Sequence, residues 1–127
     1  MATKDMRNDL DIRVGLEPQA DTTGTSTGVD VDTRGYESVT LMVHADTAYA
    51  GTVSLQEGDT TTSYSAAGAD DIIGTNGDAA TAGGILTLGY TGSKRYVRVV
   101  ATTTTAGDIS CAFILGNAHV CKTGANL

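Results

Sequence analysis

Ser38 to Ala45 reads SVTLMVHA, and Gly51 to Glu57 reads GTVSLQE. In both, apolar and polar side chains alternate one by one. A period of two places successive side chains on opposite faces of an extended chain, whereas a helix needs a period near 3.6. No useful window of this sequence sustains the helical period. The first stretch turns Val39, Leu41 and Val43 to one face and Thr40, Met42 and His44 to the other. The second turns Val53 and Leu55 inward and Thr52, Ser54 and Gln56 outward. TGVDVDT offers a shorter strand with Val29 and Val31 inward and Asp30 and Asp32 outward. The chain is therefore expected to be all-β.

The stretch Ile85 to Ala101, ILTLGYTGSKRYVRVVA, reads as a hairpin. Gly92-Ser93 suits a two-residue type II′ turn, with glycine supplying the positive φ. That turn would set Leu88 opposite Val97, Leu86 opposite Val99, Thr87 opposite Arg98 and Tyr96 opposite Gly89. The last apolar run, DISCAFILG, is apolar on both faces: Cys111, Phe113 and Leu115 on one, Ala112 and Ile114 on the other. Such a strand is buried on two sides, once by the core and once by a packed loop or a partner chain. Ile114 is thus a candidate subunit contact.

Polar Gly/Thr-rich loops separate these runs. The long stretch from Glu57 to Gly84 is expected to hold a short strand near Asp71-Ile72-Ile73 and a turn at Asn76-Gly77. Residues 1–13 are polar and mixed in charge, and they read as an N-terminal arm ordered by a neighbour, with Lys4 and Arg7 as contact candidates. Residues 14–127 read as one domain: antiparallel sheets in a β-sandwich or jelly-roll-like arrangement, with a short C-terminal tail. A chain of 127 residues suits one such core. Aromatic residues make up only 5%, which favours a thin core of Val, Ile, Leu and Ala between two sheets.

Charge narrows the function classes. A net charge of −7 would repel nucleic acid phosphates, so no nucleic acid partner is expected. The N-terminal MATKDMRNDLDIRVGL lacks an apolar core segment, and no window reaches the length of a membrane helix. Neither export by a signal peptide nor a membrane partner is expected, and synthesis is expected in a cytoplasm. In that compartment Cys111 and Cys121 read as reduced thiols, with a disulfide across the Gly116-Asn117 turn left open. Lys94, Arg95 and Arg98 are the one concentration of basic residues. They read equally as a solvated sheet end and as a site pairing an acid on a partner.

Catalytic chemistry is not legible. Asp30, Asp32, Asp70, Asp71 and Asp78 lack the spacing of a calcium loop and read as turn acids. His44 and His119 have no nucleophile and orienting acid patterned around them. The glycines sit between strands and do not precede a helix, so no phosphate loop is formed. No enzyme activity, cofactor or metal is expected.

Four stretches taken in order carry a resemblance: GYESVTLMVHA (Gly35 to Ala45), TVSLQEGD (Thr52 to Asp59), GYTGSKRYVRVVAT (Gly89 to Thr102) and LGNAHV (Leu115 to Val120). Together they resemble a family of small tailed-bacteriophage virion structural proteins of the capsid decoration, or cement, type. The chain departs from that pattern after LQEGD, where Tyr64 stands in for a nearer aromatic, and at Asn117-Ala118, where Asn-Pro is common. The resemblance implies a protein that binds the outer surface of the icosahedral capsid and bridges neighbouring capsid subunits. It implies the major capsid protein as partner and no catalytic residues. The doubly apolar strand and the arm add self-association, as a homodimer or homotrimer. The runner-up role is a head–tail connector or tail structural protein. A different class, a carbohydrate or host-surface binding module, would rest on exposed aromatics, for which Tyr36, Tyr49 and Tyr64 are the candidates.

Overall fold

The computed structural model describes residues 10–80 and 82–118. Among these residues eleven strands form two antiparallel sheets, with a single 3-10 turn at Ala69–Asp71. The first sheet runs β1 (Asp11–Asp21), β11 (Gly107–Ala118), β4 (Tyr36–Ala45), β9 (Ile85–Tyr90) and β7 (Ile72–Ile73) in spatial order. The second runs β2 (Gly24–Thr27), β10 (Tyr96–Thr105), β5 (Ala50–Thr60) and β6 (Ser63–Ala66). β3 (Val31–Asp32) adds to β10 and β8 (Asp78–Ala79) to β5. The fold is a β-sandwich, as the alternation predicts.

Both sheets turn one apolar face inward. Val39, Leu41 and Val43 of β4, Val53 and Leu55 of β5, Val97 and Val99 of β10, and Cys111, Phe113 and Leu115 of β11 meet in a single core. The short strand at Ile72–Ile73 and the turn at Asn76-Gly77, where Gly77 takes φ +82, stand where the sequence puts them. Val31 is buried as expected, but Val29 is half-exposed, because the pairing with β10 is interrupted between Thr27 and Val31.

The expected hairpin does not form. β9 pairs with β4 and β7, and β10 pairs with β5, β2 and β3, so the two strands lie in different sheets. Leu88 stands opposite Leu41, Leu86 opposite Val43, Val97 opposite Glu57 and Val99 opposite Leu55. Thr87 stands opposite Met42 and Arg98 opposite Gln56, while Gly89 lies between Thr40 and Ile73 and Tyr96 faces Gly58. Thr91 to Arg95 crosses the sandwich, and Gly92 is not among the positive-φ residues. The glycine serves a close approach instead, since a Cβ there would overlap the Tyr90 ring. Alternation fixes which side of each strand is apolar. It is blind to whether two consecutive strands pair or stack, because both arrangements bury the same residues.

Asp11, Ile12 and Arg13, read as the end of the arm, are the first residues of β1 and pair with Leu115, Ile114 and Phe113. A register shift between Val14 and Leu16 then changes the parity of the strand. Ile12 and Val14 point out to solvent, whereas Leu16, two residues on, is buried. Such a bulge inserts one residue and turns the later side chains of the strand to the other face. It also places Gly15 under the Phe113 ring, where a Cβ would come within 3.0 Å of Phe113 Cδ2.

Candidate contact surfaces

The crossover Thr91–Arg95 carries two of the predicted contact residues, and it is pinned from both sides. Tyr90, buried at the end of β9, donates its hydroxyl hydrogen to Glu57 Oε1 at 2.7 Å and accepts from the Lys94 N–H at 3.1 Å. Burial first, and the Glu57 bond second, push the Tyr90 hydroxyl well above the ordinary phenol range. Thr33 donates its backbone N–H and its hydroxyl to the Arg95 carbonyl, at 2.9 and 2.6 Å. The loop is therefore rigid at both its entrance and its exit.

Its cations are partnered within the chain. Arg95 grips Asp32 with two bonds, Nε to Oδ1 at 3.0 Å and Nη2 to Oδ2 at 2.8 Å, and lies 4.9 Å from the Tyr96 ring centre. Lys94 Nζ reaches Asp59 Oδ2 at 2.9 Å in an exposed pair. Arg98 donates to Gln56 Oε1 at 2.8 Å and stacks 4.1 Å over the Tyr64 ring, whose hydroxyl donates to Asp30 Oδ1 at 2.7 Å. Asp30 and Asp32, read as turn acids, thus hold the basic cluster in place, and Asp78 bonds the Ala79 N–H at 2.9 Å.

The Arg95 bond, the first cause, holds the Asp32 carboxyl below the usual carboxylate range. A carboxyl whose folded pKa is depressed stabilises the fold above its unfolded pKa of about 3.9 and loses that contribution as the pH falls through the folded value. Replacing Arg95 with Leu is therefore expected to lower the urea midpoint at neutral pH. The gap to the parent should close as the solution is acidified below Asp32's depressed value. A gap that persists unchanged in acid would mean that Arg95 acts through packing on Tyr96 and not through its ion pair.

Ile114 lies elsewhere. It is half-buried on the outer face of the first sheet, on the side of the sandwich opposite to Arg98. The structure thus brings Lys94, Arg95 and Arg98 together at one end and sets Ile114 apart from them. Lys4, Arg7, His119 and Cys121 lie outside the described residues. Cys111 faces the core, where burial pushes its thiol up to about 12 and leaves it unreactive as a nucleophile.

Two polar devices escape sequence reading. Tyr49, a candidate exposed aromatic, is buried, and its hydroxyl pairs with Thr103 Oγ1 at 3.0 Å. Thr103 Oγ1 in turn lies 3.3 Å from the buried Asp21 carboxylate, which also accepts from Gln19. The second device is the Asn76 side chain, which bonds the backbone of Leu55 and Ala67. Among the described residues no three His, Cys, Asp or Glu side chains are placed to hold a metal ion, and no helix is long and apolar enough to cross a membrane.

No protein-family model and no curated protein matches the chain. Among solved structures it is similar to the PBSX exported protein XepA, with a TM-score of 0.65 at 17% identity over 96% of this chain. At that identity the likeness is one of fold. The chain spans 41% of XepA's length. The SPBc2 prophage-derived protein YomS aligns more loosely, with a TM-score of 0.44 at 13% identity over 84% of this chain and 92% of YomS.

Proposed function

We propose that this chain is a bacteriophage structural protein that decorates the outside of the capsid and stabilises it by bridging neighbouring capsid subunits. The observation that carries the reading is the likeness of nearly the whole chain to the fold of the phage-derived XepA. That likeness supports a phage origin, and the order of the four sequence stretches supports the head as the location. The physical form suits the role. A decoration protein folds before it assembles and presents rigid surfaces that lose little entropy on docking. The crossover end of the sandwich has this character, and there the exposed Lys94 can exchange Asp59 for an acid on a capsid subunit. Many copies, each binding modestly, hold a shell by avidity.

Antibody labelling of virions from the phage that carries this sequence tests the reading. Label spread evenly over the head is the expected result. Label confined to the portal vertex or the tail would assign the protein to the connector or tail instead, and absence from the virion would remove the structural role.

A further inference from the structure

The first sheet carries a band without charged side chains across its outer face, bounded at one end by the outward pair Ala20–Asp108. One ladder of directly opposed residues crosses all five of its strands on the outside: Ile12, Ile114, Thr40, Gly89 and Ile73. The next row holds Val14, Ala112, Met42 and Thr87, and the third holds Ser110, His44 and Ile85. None of these is Asp, Glu, Lys or Arg. Of the five exposed large hydrophobic residues among the described ones, Ile12, Val14, Ile73 and Ile85 all belong to this face. The bulge at Gly15 creates the pattern, because strict alternation would have put Ile12 and Val14 on the same side as the buried Leu16.

We infer that this face is a self-association surface, on which a second copy of the chain stacks sheet to sheet. Two features select a second copy as the occupant. The first is charge. Each molecule carries −7, and these three rows let two of them meet with no ionic group between them, Asp46 and Asp108 lying just past the Ser110–His44 end, whereas the outer face of the second sheet carries Arg98 and the Tyr64–Asp30 pair. The second is shape. Two copies of one twisted sheet have equal twist by construction, the condition for aligned packing at about 10 Å separation. A two-fold axis through the face would set each ladder against its own copy.

Area sets the strength. Five strands spaced about 4.8 Å apart, carrying three rows of side chains, give a footprint of roughly 300–400 Å² per molecule. A standard stable interface buries about 800 Å² per partner, so the isolated dimer is weak, in the micromolar-to-millimolar range. The surface does not depend on the virion reading, although a weak pair contact is what a many-copy lattice would use.

Sedimentation of the purified full chain over a concentration series tests this. The expected result is a monomer–dimer isotherm that tightens as salt is raised, because salt screens the repulsion between two acidic molecules and spares the apolar contact. Ile12→Glu and Ile73→Glu, at opposite edges of the face, should each weaken the dimer by about tenfold or more. Thr102→Glu, on the outer face of the second sheet, should leave it unchanged, with thermal melts verifying that all three fold. A parent chain that stays monomeric to millimolar concentration overturns the inference, as does a dimer indifferent to Ile12→Glu and Ile73→Glu. A monomeric parent whose Ile12→Glu variant no longer binds capsids gives the face to the capsid protein and overturns it as well. A virion without this protein would defeat the decoration role and leave the isotherm untouched.

Discussion

Phe113→Ala is expected to cost about 3–5 kcal/mol of folding stability, enough to lower the melting temperature by roughly 10–20 °C in a domain of this size. Phe113 is the chain's single phenylalanine and is fully buried at the centre of β11. Its ring lies against Gly15 at the β1 bulge on one side and opposes Leu41 of β4 on the other. The cost of a truncation depends on how far the surroundings can close on the space left behind. Here they cannot close far. Gly15 has no side chain to advance, the bulge fixes the backbone, and the neighbouring core is made of short aliphatic residues already held in two sheets. Phe113→Leu keeps most of the volume and should cost less than about 1.5 kcal/mol. Urea unfolding of the two variants checks the claim. If Phe113→Ala lost no more than Phe113→Leu, the bulge would have to be soft enough to collapse into the cavity.

How much of this was legible depended on whether a feature is local. The inward sets Val39/Leu41/Val43 and Val53/Leu55 were readable because alternation is a property of a single strand, and their burial follows it residue by residue. The pairing of β9 was not readable from its own residues. Leu86 and Leu88 present the same inward face whether β10 lies beside them or across the core, and the turn-like Gly92 owes its place to the Tyr90 ring. The doubly apolar character of β11 was legible, but not the extent of the outer patch. That extent depends on the one-residue bulge at Gly15, which reverses the parity of β1 without any cue beyond a glycine. The basic cluster was visible as a cluster. Its acids, Asp32 and Asp59, are far from it in sequence, and only the sandwich brings them together.

Asn76→Ala is expected to cost about 2–4 kcal/mol, more than an exposed ion pair such as Lys94–Asp59, because it strips the Leu55 N–H and the Ala67 carbonyl of the partner that Asn76 supplies. Along its outer side β5 pairs with β8 at Thr52 and Val53 and with β6 from Gln56 onward, so Leu55 falls in the gap between them, where its carbonyl accepts from the Ala67 N–H at 3.1 Å but its own N–H has no strand partner. Asn76 fills that gap. Its Oδ1 accepts from the Leu55 N–H at 2.7 Å, and its Nδ2 donates to the Leu55 and Ala67 carbonyls at 3.1 Å each. The side chain thus imitates a strand residue, offering one acceptor and one donor group to a backbone that needs both. Gly77 N–H to the Val53 carbonyl, at 3.0 Å, holds the turn that aims it. Asn76→Asp separates this role from size. The introduced carboxylate can still accept from Leu55 N–H, but its second oxygen would face two carbonyl oxygens with no hydrogen to give. Its folded pKa should therefore be raised, so the variant should be most stable in acid and lose stability as the pH rises through that value. Once protonated, the carboxyl can donate again and recover part of the loss. Urea midpoints of parent and variant, measured at neutral pH and near the ordinary carboxylate pKa of about 3.9, should draw together in acid. A difference that stayed constant would mean that Asn76 fills space without serving as the missing strand partner of Leu55.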